Sequence, residues 1–166
     1  MSAYELAQLN IGIIRGPMDS PVMAEFAANL QRINALAEQA PGFVWRLQTE
    51  AGDATALRPF EDENMLLNMS VWRDLESLNA YVYRSAHVEI MRRRREWFER
   101  MEKPFLVLWW LARGHRPSIP EAIAKLELLR SKGPTAEAFN FRRAFPPPDA
   151  APAAPPVSFG DTCPAS

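Results

Sequence analysis

The chain has 166 residues, of which 48% are hydrophobic and 23% charged, the proportions of an ordinary globular domain with one core. Nineteen basic against twenty acidic side chains leave a formal charge of −1, so no bulk field recommends nucleic acid or an anionic membrane as partner. A single cysteine, Cys163, excludes an intrachain disulfide and a thiolate cluster, and the longest apolar run, Phe105 to Ala112, is far too short to span a bilayer.

The first residues, Met1-Ser2-Ala3-Tyr4-Glu5, carry neither the basic region nor the apolar stretch of a signal peptide, which makes a cytoplasmic location the expectation. From Tyr4 to Ile14 apolar residues alternate, Ala7, Leu9, Ile11 and Ile13 opposing Leu6, Gln8, Asn10 and Gly12, the pattern of a strand. Ser20-Pro21 supplies an N-cap with proline at the first helical position. Val22, Phe26, Leu30, Ile33 and Ala37 then recur at helical spacing, until Pro41-Gly42 ends the helix. Phe43, Trp45 and Leu47 alternate with Val44, Arg46 and Gln48 in a second strand.

A long connection, about residues 51–64, contains Gly52, Pro59 and the acidic run Glu61-Asp62-Glu63. A connection of this length is expected to be a lid or a binding loop, or else simply mobile. Leu66 to Trp72 predicts a third strand, with Leu67, Met69 and Val71 opposing Asn68 and Ser70. Asp74 caps a helix carrying Leu75, Leu78, Tyr81 and Val82, and a further helix is predicted over residues 86–101. Phe105 to Leu111 is apolar on both faces, as an interior strand or one covered on both sides would be. Ser118-Ile119-Pro120-Glu121 reads as a capping box, opening a helix with Ile123, Leu126 and Leu129 that stops at Gly133-Pro134. Phe139 to Phe145 alternates and predicts a small edge strand. The proline- and alanine-rich residues 146–166 cannot bury enough surface to offset their ordering entropy. The domain expected is therefore residues 3–145, followed by a disordered tail that contains Cys163.

The order β-α-β-β-α-β predicts an α+β protein of ferredoxin-like type. Its chemistry concentrates around His87 and the run Arg92 to Arg95. Consecutive helical residues step by about 100°, so four arginines form no single basic face. Arg92 with Glu96, and Arg95 with Glu99, are spaced to pair at i,i+4. His87 and Arg94 fall on the apolar stripe of Ile90, Met91, Trp97, Phe98 and Met101, about 10 Å apart along the axis. They either line a pocket between this helix and the sheet or are locked in internal hydrogen bonds. Gln8 and Asn10 on the first strand, with Asn68 and Ser70 on the third, converge as an opposite wall if that face is covered, and Trp72 closes the same space. His115 has no second ligand near it, which argues against a metal site. No phosphate loop, nucleophile elbow or His-Glu-x-x-His is present.

Leu6-Ala7-Gln8-Leu9-Asn10, Pro41-Gly42-Phe43-Val44-Trp45-Arg46-Leu47, Asn68-Met69-Ser70-Val71-Trp72, Tyr83-Arg84-Ser85-Ala86-His87 and the arginine run ending at Trp97-Phe98 resemble a bacterial family known only as a domain of unknown function. The resemblance covers about residues 4–145. It implies a dimeric α+β barrel, a homodimer of ferredoxin-like subunits whose sheets pair, and a distant similarity to antibiotic-biosynthesis-type and haem-degrading monooxygenases. In that light the expected activity is a monooxygenase-like enzyme acting on an aromatic or polycyclic small-molecule ligand, with haem as the cofactor to test. A non-catalytic ligand-binding module and a purely structural dimer are the alternatives. His87 and Asn10 would be catalytic. Arg94, Asn68, Trp72 and Tyr83 would bind the ligand, with His87 as axial ligand if haem is held.

Overall fold

The computed structural model describes residues 2–17, 19–47, 65–84 and 92–150. Strand β1 (Tyr4–Ile13) is followed by helix α1 (Ala24–Gln39), strands β2 (Phe43–Arg46) and β3 (Met65–Trp72), and helix α2 (Leu75–Arg84). A single turn of helix α3 (Arg94–Trp97), strand β4 (Leu106–Ala112) and helix α4 (Ile119–Lys132) complete the order. The four strands form one sheet in the order β2-β3-β1-β4, and every pairing is antiparallel. This is the ferredoxin-like β-α-β-β-α-β arrangement that the alternation predicts.

Because β1 is flanked on both sides, its alternation sorts residues between two covered faces rather than between core and solvent. Ala7, Leu9 and Ile11 face one way with Met69, Val71, Val107 and Trp109, and Leu126 and Leu129 of α4 pack onto them. Leu6 faces the other way with Trp72, Leu106 and Leu108, against Ala37 of α1 and Leu75, Leu78, Tyr81 and Val82 of α2. Each fully buried Leu or Val contributes roughly 1.5–3 kcal/mol. Both faces of the sheet are therefore closed within one chain, and the face opposite α1 and α2 is taken by α4. Among the described residues no helix is long and apolar enough to cross a membrane.

The local signals act as their chemistry dictates. Asp74 Oδ1 accepts from Ser77 N at 2.7 Å and starts α2. Ser118 Oγ accepts from Glu121 N at 3.2 Å and starts α4, which ends on Gly133 with a positive φ of 73°. The reciprocal half of the capping box is diverted: the Glu121 carboxylate accepts from Trp109 Nε1 at 3.2 Å and pairs with His115 Nε2 at 2.8 Å, tying the first turn of α4 to β4.

The structure departs from several expectations. Val22 is 44% exposed and Met23 is buried in its place, because Pro21–Met23 is a 3-10 turn whose tighter winding shifts the phase of the stripe. The helix over residues 86–101 does not persist to its predicted end. Phe98 is extended (φ −122°, ψ 143°) and bridges Ile14, while Glu99 N donates to Ile13 O at 2.8 Å. Gly12 permits this crossing, since a Cβ there would lie 2.5 Å from Phe98 Cδ1, and Phe26 holds the same ring edge-on at 5.2 Å. With the helix cut short, the ion pairs also change: Arg93 meets both Glu96, at 2.7 Å, and Glu25. Phe139 to Phe145 adds only a single bridge, Phe139 to Leu108, because Phe139, Phe141 and Ala144 turn inward as core. Contacts with the body also continue beyond residue 145, where Asp149 accepts from Ser2 Oγ and Ala3 N, each at 2.7 Å. The connection 51–64, His87 and Cys163 lie outside the described residues.

Candidate functional site

The register of β1 on β3 places Gln8 opposite Ser70, Asn10 opposite Asn68 and Leu6 opposite Trp72. All six share the face under α1 and α2, so a row of polar side chains is set into an otherwise apolar interior. A cleft opens there. Its floor is Gln8, Asn10, Asn68, Ser70 and Trp72, and its walls are Asn34 and Ala37 of α1, Tyr81 and Val82 of α2, and Arg46 of β2. The void measures about 530 Å³ out to its mouth, with about 40 Å³ at its core where a water centre can sit. That core has room for about three waters.

The floor is held by three hydrogen bonds. Trp72 Nε1 donates to Ser70 Oγ at 2.9 Å, and Gln8 Nε2 donates to Ser70 Oγ at 2.9 Å and to Asn68 Oδ1 at 3.3 Å. Gln8 and Ser70 are each only 6% exposed, so these bonds operate in a low-dielectric setting where a lost partner is costly. Trp72 is stacked against Tyr81 with centroids 5.1 Å apart and meets Phe43 edge-on at 5.5 Å. Tyr81 donates its hydroxyl to Ile33 O at 3.2 Å. Burial pushes its phenol well above the ordinary tyrosine value, and the positive charge of Arg46 offsets only part of this. The Arg46 side chain is 11% exposed, and its Nε lies 2.7 Å from Glu38 Oε1, so a guanidinium borders the cleft with a carboxylate at its outer side.

The predicted residues divide. Asn10, Asn68 and Trp72 come together in this cleft, with Gln8 and Ser70 between them. Arg94 does not line it. Its guanidinium sits over Phe98 at 5.0 Å and Phe105 at 4.5 Å, a cation–π contact with both rings. Tyr83 is also absent from the lining and packs edge-on against Phe141 at 6.0 Å; Tyr81, two residues earlier, takes the wall position. Among the described residues the walls of the cleft come from α1, α2 and Arg46 of β2. Arg46 and Asn34 escaped the reading of the sequence. Arg46 was legible only through register, since β2 pairs with β3 and sets it opposite Ser70.

Chemically the cleft is rich in hydrogen-bonding groups and poor in proton acceptors. Among the described lining residues the ionisable side chains are Arg46 and Tyr81, and neither is a general base near neutral pH. No three His, Cys, Asp or Glu side chains gather anywhere among the described residues. The described lining residues can hold and polarise a ligand, and none of them is a carboxylate or an imidazole. Among the described lining residues no histidine, cysteine or methionine offers haem an axial ligand, and His87, the residue expected to do so, lies outside the described residues.

A model of the family described as "Domain of unknown function (DUF3291)" matches residues 5–154. No curated protein matches the chain. Among solved structures, SnoaB, a cofactor-independent oxygenase from Streptomyces nogalater, is 20% identical over 72% of this chain and 100% of its own, with a TM-score of 0.46. Rv0793 from Mycobacterium tuberculosis is 15% identical over 69% of this chain and 99% of its own, TM-score 0.46. NE2512 from Nitrosomonas europaea, of unknown function, is 10% identical over 70% and 95%, TM-score 0.44.

Proposed function

The chain belongs to the DUF3291 family, whose model spans nearly all of it, and from that premise we propose that it is a monooxygenase-like protein binding an aromatic small molecule in the cleft between the sheet and helices α1 and α2. The observation that carries this reading is the polar row Gln8–Ser70–Asn68 beside Asn10 and the indole of Trp72, set into a closed apolar face. An apolar pocket with few convergent polar groups is the usual form of a small-molecule site. Trp72 and Tyr81 offer stacked aromatic walls, and the amides orient the ligand's oxygen atoms. Asn10 is assigned the hydrogen bond to the reacting oxygen. With no base among the described lining residues, a ligand that supplies its own acidity suits the cleft, which favours an electron-rich hydroxylated ring. The narrow core of the void admits one polar edge of such a ring, the remainder extending toward the mouth.

That the described lining residues include no base favours a second reading, a binding module that holds the ligand without turning it over. Oxygen uptake separates the two. The full chain is given hydroxynaphthalenes in an oxygen-electrode cell while the fluorescence of its tryptophans is followed. Uptake above the protein-free rate, lost in Asn10→Ala and Asn68→Ala, supports the enzyme. Saturable quenching without uptake supports the binding module. Neither uptake nor quenching removes the pocket reading altogether. Two further proposals accompany this one: a cytoplasmic location and self-association into a homodimer. Pairing through the sheet face opposite α1 and α2 would require α4 to move, because that helix covers it.

A further inference from the structure

We infer that Ser70 is the directional donor of the cleft, and that the ligand places a hydrogen-bond-accepting oxygen, a carbonyl or an ionised hydroxyl, against it. The inference rests on the pocket reading above and names what that pocket selects. A serine hydroxyl has one proton and two lone pairs, and an indole N–H can only donate. Trp72 Nε1 therefore takes one lone pair of Ser70 Oγ, at 2.9 Å. Gln8 Nε2 takes the other, also at 2.9 Å. With both lone pairs occupied, the hydroxyl proton is turned away from both donors, and among the described residues no protein acceptor receives it.

The neighbouring amide is locked in the same sense. The two N–H bonds of Gln8 Nε2 are directed at Ser70 Oγ and Asn68 Oδ1, so this amide nitrogen has no proton left for the cleft. Asn68 accepts at its oxygen and keeps its own NH₂ as a donor. Ser70 is 6% exposed and lines the void, which gives its unspent proton a low-dielectric setting where a matching acceptor is strongly preferred. Across the void the Arg46 guanidinium adds positive charge. A ligand edge that offers only N–H donors meets donors at this point of the floor, whereas an acceptor oxygen completes the network.

Two small probes of nearly equal shape test this: acetophenone, whose carbonyl accepts, and α-methylstyrene, in which a CH₂ replaces that oxygen. Each is titrated into the full chain while the Trp72 indole N–H and Ser70 amide resonances are followed. Acetophenone is expected to bind about five-fold more tightly than α-methylstyrene, the margin of one net hydrogen bond. Ser70→Ala should abolish the margin and Ser70→Thr, which restores a hydroxyl, should keep it. Equal binding of the two probes to the wild type overturns the inference, and that comparison needs no variant to fold. A margin that survives in Ser70→Ala overturns it as well. If neither probe moves any resonance of the cleft, the pocket reading fails and takes this inference with it.

Discussion

Replacing Ser70 by alanine removes the one oxygen on which Trp72 Nε1 and Gln8 Nε2 converge. The two donors suffer unequally. Trp72 is 1% exposed and its N–H would be left without an acceptor, a penalty of about 1–3 kcal/mol. Gln8 keeps its longer bond to Asn68 Oδ1 at 3.3 Å and forfeits about 1 kcal/mol. The total, about 3 kcal/mol, is a large fraction of the 5–15 kcal/mol that separates a typical folded domain from its unfolded state. Urea unfolding of the full chain should show a lower midpoint at unchanged slope. The decisive comparison is a double-mutant cycle with Trp72→Phe, which removes the donor and so relieves the orphan that Ser70→Ala creates. A coupling of about 1 kcal/mol is expected. Additivity to within about 0.5 kcal/mol, or a Ser70→Ala cost below that figure, would refute the account of how the floor is held.

Two further outcomes follow from the packing. Gly12→Ala drives a methyl to 2.5 Å from Phe98 Cδ1, so the ring must leave the end of β1; a loss of about 1–3 kcal/mol is expected in thermal unfolding, and an unchanged transition would mean that Phe98 does not cross there. Tyr81 has its folded pKa raised above the ordinary value of 10.0, chiefly by burial. Above pH 10 the unfolded chain therefore releases this proton while the folded chain retains it, so stability is complete below pH 10 and declines above it. Tyr81→Phe should flatten that alkaline decline, and identical slopes in wild type and variant would show that the phenol is not sequestered.

Much of the architecture was legible because it is encoded locally. Ser118 and Asp74 are cap residues wherever they precede a helix, and Gly133 takes a positive φ at a helix end. The alternation through β1 correctly grouped Leu6, Gln8 and Asn10 on one face. Three of the six proposed site residues, Asn10, Asn68 and Trp72, lie together in the cleft for the same reason. Strand periodicity states which side chains share a face, and antiparallel register brings two such faces into line.

Arg94 and Arg46 show where local encoding ends. An arginine on an apolar stripe requires compensation, but the stripe does not say whether a ligand or a pair of aromatic rings supplies it. Phe98 and Phe105 lie under its guanidinium, and Phe105 is eleven residues away along the chain. Helical spacing puts Tyr81 on the stripe of Leu75, Leu78 and Val82 and sets Tyr83 about 200° from it, and it is Tyr81 that lines the cleft while Tyr83 meets Phe141. Arg46 gains its place through the pairing of β2 with β3. The sequence by itself determines turns, caps and the faces of strands and helices, because those depend on neighbours a few residues apart. Only the tertiary structure decides which element covers each face, where a helix yields to a longer-range contact, and which side chains border the void, because those depend on residues brought together from across the chain.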